Sequence, residues 1–117
     1  MPLHANIILH KKLADYEVEG DYIHGMNQIY HRLNAKGDGF YDPLTADASI
    51  GEETNLRHYT IKWEGKTKTC SVFFRAVFAA GVWLMDVYAY GKHKGDNNKR
   101  YELYTYLNGK KARQYTF

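Results

Sequence analysis

A chain of 117 residues suits a single domain, 1–117, and its 44% apolar content, 11 Tyr, 5 Phe and 2 Trp supply the surface to bury that a disordered chain lacks. Its net charge of +3 conceals a split, because residues 1–54 hold 4 Lys/Arg against 9 Asp/Glu while residues 55–117 hold 12 against 4. No run nears the ~18 apolar residues of a membrane span, no basic-then-apolar leader opens the chain, and the single Cys70 excludes an internal disulfide and a cysteine zinc cluster, so a cytoplasmic protein with no membrane partner, metal or cofactor is expected.

Residues 5–9 read as a short first strand. Residues 12–35 are helical, with Ile23, Met26, Tyr30 and Leu33 recurring on one face. Gly20 and Gly25 weaken the front of this stretch, so a break or two helices are expected there, with Asp21 capping the second piece. Residues 37–39, Gly-Asp-Gly, end it. Residues 36–55 read as a long loop, or a short helix near Glu52 between loops. From residue 57 the period becomes two. Tyr59, Ile61 and Trp63 share one face of a strand, Cys70, Val72, Phe74, Ala76 and Phe78 that of a second, and Trp83, Met85, Val87 and Ala89 that of a third. Residues 64–66 and 79–81 are turns, which makes the three strands an antiparallel meander.

Beyond a polar loop at residues 91–98, Tyr101, Tyr104 and Leu107 suit a helix with Asp96 or a neighbouring Asn as N-cap and Gly109 beyond its end. Alternating Tyr residues would suit a strand instead, but the helix is the reading adopted. The tail can bind phosphates through Lys110, Lys111 and Arg113, or pair as a last strand through Tyr115 and Phe117. The expected fold is α+β. A small antiparallel sheet, a three-strand meander plus an edge strand, carries N-terminal helices on one face and a short C-terminal helix. The opposite face would then present Arg75, Asp86, Tyr88 and Tyr90.

The charge split points to a polyanion or an acidic partner near the basic half, unless folding mixes the halves into a neutral surface. Residues 88–100 concentrate the chemistry, with Tyr88, Tyr90, Lys92, His93, Lys94, Asp96, Asn97, Lys99 and Arg100. RNA cleavage without a metal needs such a set. A base takes the 2′-OH proton, cations offset phosphate charge, and an acid protonates the leaving 5′-oxygen. His93 can act near neutral pH, Lys92 and Lys94 can offset charge, and Tyr88 or Tyr90 can stack on a base. A solvated basic loop without chemistry is the plainer reading. His58 could face the same surface. His4, His10, His24 and His31 read as surface residues, and Cys70 as core.

The meander followed by a basic loop resembles the RelE-like superfamily of bacterial toxins, and residues 55–117 are most similar to the YafO group. The residues that carry this are Leu56-Arg57, Val82-Trp83-Leu84, His93-Lys94, Asp96-Asn97-Asn98 and the ending from Arg113 to Phe117. In the first half only the order of elements and the stretch from Gly39 to Leu44 match. The resemblance implies the toxin of a type II toxin–antitoxin pair. Such a protein cleaves messenger RNA on the translating ribosome without a metal, and a cognate acidic antitoxin silences it. It implies His93 as general acid or base and Lys92, Lys94 and Arg75 on the phosphate. Arg57 and Tyr90 would position RNA, and Asp96 would hold the loop. Tyr88, Asn97, Lys99, Arg100, Lys110, Lys111 and Arg113 would add RNA contacts. One departure is the early second strand, where such toxins carry an arginine and this chain has Cys70 and Ser71, with Lys68 and Arg75 as the nearest cations. The alternative is a non-catalytic protein, such as a phage or plasmid inhibitor, that binds nucleic acid or a host protein through the same basic half.

Overall fold

The computed structural model describes residues 3–11, 13–37, 57–94, 100–105 and 113–116, with side chains as far as Lys92. The strands are β1 (Ile7–Leu9), β2 (Arg57–Trp63), β3 (Lys68–Ala79), β4 (Val82–Lys94), β5 (Arg100–Thr105) and β6 (Arg113–Thr116), and one helix, α1, spans Gly20–Lys36. The fold is α+β. Five strands run in the order β2-β3-β4-β5-β6, each antiparallel to the next, and β1 lies parallel to β4, so the sheet is mixed and not the antiparallel one expected. β1 pairs with Met85, Asp86 and Val87, while β5 takes Ala89 to Lys94, so the first and fifth strands divide one edge of β4 between them.

The helix forms where the spacing predicts it and buries Gly25, Met26, Ile29, Tyr30 and Leu33 against the sheet. Burying a Met, Ile or Leu side chain stabilises by roughly 1.5–3 kcal/mol. Gly25 is not a weak point in this helix. A Cβ there would overlap the Cβ of Cys70, so glycine is what lets α1 approach β3. Gly37 ends the helix at φ 71°, its N–H donating to the Leu33 carbonyl. The expected front helix is a single 3₁₀ turn at Leu13–Asp15, and Glu19, not Asp21, is the residue before α1.

Two further expectations are corrected. Residues 100–105 are a strand and not part of a helix. Asp, Asn and Gly serve turns as readily as caps, and the run Arg-Tyr-Glu-Leu-Tyr-Thr, with two tyrosines and a threonine that favour strands, pairs along the edge of β4. Arg113–Thr116 likewise pairs as a last strand. The second correction is a bulge. Phe73 pairs with Ala89 but Phe74 pairs with Val87, which leaves Tyr88 as the extra residue of β4. Beyond it the alternation of β4 is inverted, so Tyr90 joins Met85 and Val87 in the core under α1. The long loop at residues 38–56, with its candidate helix near Glu52, lies outside the described residues.

Candidate functional site

β4 extends through Lys94, so Lys92, His93 and Lys94 are strand residues rather than loop residues. Successive strand residues alternate between faces. Lys92 and Lys94 therefore share the phase of Tyr90, on the α1 side, and His93 belongs to the opposite phase. The predicted trio is split across the sheet.

On the α1 side, Lys92 is exposed and lines an open groove of about 280 Å³ with Glu19, Asp21, Tyr22, Thr67, Lys68 and Thr69. Lys68 Nζ donates to Asp21 Oδ2 at 2.7 Å. That hydrogen bond, with the charge of Asp21 behind it, holds the Lys68 ammonium above the usual lysine range. The acidic first half and the basic second half therefore meet in this groove. Backbone register mixes the charges here, with Lys92 opposite Glu102 and Lys94 opposite Arg100.

On the other phase, register assembles residues from distant parts of the chain. His93 pairs with Tyr101, and Tyr101 with Tyr115. Thr60, Ser71, Gly91, Leu103 and Arg113 form the neighbouring row across five strands. Across β2 and β3 lies a polar chain that no sequence motif announces. Thr60 Oγ1 is 3.2 Å from His58 Nε2 and 2.7 Å from Ser71 Oγ. His58 and Ser71 are both buried, and the His58 ring meets Phe73 edge-on at 5.3 Å. Single-residue spacing within β2 hinted at His58 and Thr60, but Ser71 joins them only through the β2–β3 register. Along the strands, His58 sits two rows from His93 and two strands away, roughly 16 Å at ordinary strand spacings. The two histidines therefore do not form one acid–base pair.

Several predicted residues are placed elsewhere. Tyr90 is fully buried, its hydroxyl donating to the Glu17 carbonyl at 3.4 Å and its ring edge-on to Tyr22. Tyr88 is 3% exposed and packs on His10 at 5.1 Å between ring centres. Neither ring is on the surface to stack on or position an RNA base, and the bulge is the reason. Arg75 Nη2 donates to Asp86 Oδ2 at 3.2 Å, so an ion partner already holds its charge. Arg57 pairs with Phe74, on the α1 phase, and Arg75 has the opposite phase, so the two arginines do not converge. Asp96, Asn97, Lys99, Lys110 and Lys111 lie outside the described residues.

Cys70 is core, as its alternation predicts. Its Sγ donates to the Tyr22 carbonyl at 3.8 Å, and burial pushes the thiol up, away from the reactive thiolate. His4, His10 and His24 are half-buried rather than surface residues, each against an aromatic ring, with His4 also 5.9 Å from His31. Among the described residues no three His, Cys, Asp or Glu side chains are grouped to hold a metal ion, and no helix is long and apolar enough to cross a membrane. Compared with family models, curated proteins and solved structures, the chain matches none.

Proposed function

We propose that the protein is a metal-independent endoribonuclease toxin that cuts messenger RNA on the ribosome and works from the sheet face opposite α1. The observation that supports this is the pair of cross-strand rows, His93–Tyr101–Tyr115 and Thr60–Ser71–Gly91–Leu103–Arg113. They place His93 and Tyr101, Tyr101 and Tyr115, and Leu103 and Arg113 at paired register positions along β4, β5 and β6. In this reading His93 moves the proton. The 2′-oxygen loses its proton and attacks phosphorus, a 2′,3′-cyclic phosphate forms, and the leaving 5′-oxygen takes up a proton. Arg113 offsets phosphate charge, the role that Arg75 gives up to Asp86. Lys92, exposed on the α1 side, adds a cation near the end of the sheet, so affinity for RNA falls as salt rises. An acidic antitoxin would neutralise the same surface, and the cytoplasm is where ribosome and messenger are met.

The test is cleavage of a defined messenger by purified protein, with and without ribosomes. Wild type is expected to cut, and His93→Ala to lower the rate by about a hundredfold or more. Equal cutting by His93→Ala ends the proposal. A second reading, non-catalytic binding of RNA or a host protein, is favoured by one finding. Tyr88, Tyr90 and Arg75, three groups expected on RNA, are already engaged within the fold. It predicts growth inhibition that survives His93→Ala but weakens when Lys68 and Lys92 are both replaced by alanine.

A further inference from the structure

The sheet face away from α1 changes character along β3 and β4. Around β2 it holds the buried His58, Ser71 and Phe73, and toward the β3–β4 turn it is exposed. Three strands meet there in register. Ile8 lies beside Asp86 and Asp86 beside Arg75, and in the next row of that face Leu84 lies beside Val77. Successive strand residues alternate between faces, so Val82 shares this face with Leu84 and Asp86. Ile8 is 47% exposed, Val77 41% and Val82 41%. Arg75 Nη2 donates to Asp86 Oδ2 at 3.2 Å, and 44% of the Arg75 side chain is accessible. Arg75 and Asp86 are the only charged residues from 69 to 91, so the patch has no net charge.

These positions are complementary to themselves. A two-fold axis along the strands, midway between β3 and β4, lays Arg75 of one copy over Asp86 of a second and Val77 over Leu84. The same holds in reverse, as an isologous contact requires. The two Arg75–Asp86 pairs then close a square of alternating charge beside apolar rows. We propose that this face, Val77, Val82 and Leu84 next to the Arg75–Asp86 pair with Ile8 at its margin, binds the same face of a second copy of the chain. Sheets stacked in this way lie about 10 Å apart and within about 30° of aligned, which lets Val and Leu side chains meet between them. Two other occupants fit less well. A nucleic acid or an acidic protein gains no attraction from a neutral patch. A bilayer would take up Val77 and Val82 but would draw an ion pair toward the hydrocarbon. Six residues a side fall short of the roughly 20–30 of a standard interface, so the dimer is weak and exchanges with the monomer. This inference does not depend on the ribonuclease reading, because His93 pairs with Tyr101 toward the other end of β4.

The experiment is sedimentation equilibrium of the full-length protein over a range of concentrations. The wild-type mass is expected to rise from that of one chain to that of two. Arg75→Asp makes the patch wholly acidic and Asp86→Lys makes it wholly basic. Each alone is expected to weaken self-association by about tenfold or more, since like charges then meet. Mixed in equal amounts, the two variants are expected to pair with each other at least as tightly as wild type pairs with itself. Circular dichroism checks that both fold. If either does not, Val77→Lys, at an exposed position outside the ion pair, takes its place and is expected to abolish the dimer. A wild type that stays a single chain at every concentration overturns the proposal. So does a dimer that survives Val77→Lys, or a pair of folded charge variants that stay apart when mixed. A monomer that instead floats with phosphatidylcholine vesicles, and no longer does so in Val82→Lys, assigns the patch to lipid and overturns it too.

Discussion

Under α1, the sheet presents Ile61, Cys70, Val72, Phe74, Met85, Val87 and Tyr90, closed over by Met26, Ile29, Tyr30 and Leu33. The opposite face of the same strands carries His58, Thr60, Ser71 and an Arg75–Asp86 pair, with His93 and Arg113 in the same phase by register. The contrast separates stability from chemistry. The α1 face is a continuous apolar layer whose losses should be read in folding. The other face mixes the polar His58, Thr60, Ser71, Arg75 and Asp86 with the fully buried Phe73 and Ala89, and a loss in activity is expected there at His93. A single bulge at Tyr88 decides which side Tyr90 joins.

Tyr90 breaks or sustains that division with the largest effect. Tyr90→Ala removes a fully buried ring and should cost about 3–5 kcal/mol in urea unfolding, by analogy with other large aromatic truncations. Tyr90→Phe loses only a long hydroxyl contact to Glu17 and should keep both fold and any cleavage. A Tyr90→Phe variant that folds normally but fails to cut RNA would return Tyr90 to the chemistry. His93→Ala should show the reverse pattern, with stability kept and cutting lost.

Thr60 tests whether the polar face also contributes to stability. Thr60→Val keeps the shape and removes the hydroxyl that joins His58 to Ser71, leaving buried polar groups without that partner. A loss of about 1–3 kcal/mol is expected by urea unfolding. Adding Ser71→Ala should restore part of it, because removing both members of a buried hydrogen bond costs less than removing one. If the two substitutions are additive, the Thr60–Ser71 contact contributes nothing.

The legible parts of this molecule are those set by local period. Met26, Tyr30 and Leu33 mark the buried side of α1, Gly37 marks its end, and the alternation in β2, β3 and the first half of β4 separates the faces correctly. Pairing decides the rest. The bulge exists because Phe74 meets Val87 while Phe73 meets Ala89, a property of two strands together that neither strand reveals alone. Asp96-Asn97-Asn98 and Asn108-Gly109 suit a helix cap and a turn equally, so the strand at residues 100–105 was settled by the edge of β4 that needed a partner. The site was less legible than the fold for the same reason. His93 with Tyr101, or Leu103 with Arg113, are neighbours only through register. Charge also misleads when read by halves, because Asp21 of the acidic half sits on Lys68 of the basic half.

That pair gives the smallest expected effect and the sharpest test of whether the two halves are coupled. Asp21 and Lys68 are about half-exposed, with side-chain accessibilities of 54% and 40%, so solvent and salt screen their attraction. Asp21 raises the Lys68 pKa above 10.5, the ordinary value. A lysine raised on folding adds stability that is complete below its unfolded pKa and is lost as pH climbs through the folded one. Wild type should therefore lose slightly more stability above pH 10.5 than Asp21→Asn does, and the two should agree at neutral pH in high salt. Melting temperatures at pH 9 to 11 and at two salt concentrations measure this. Identical alkaline profiles would show the contact to be energetically silent, and the groove would then hold Lys68 as free as Lys92 for an anionic ligand.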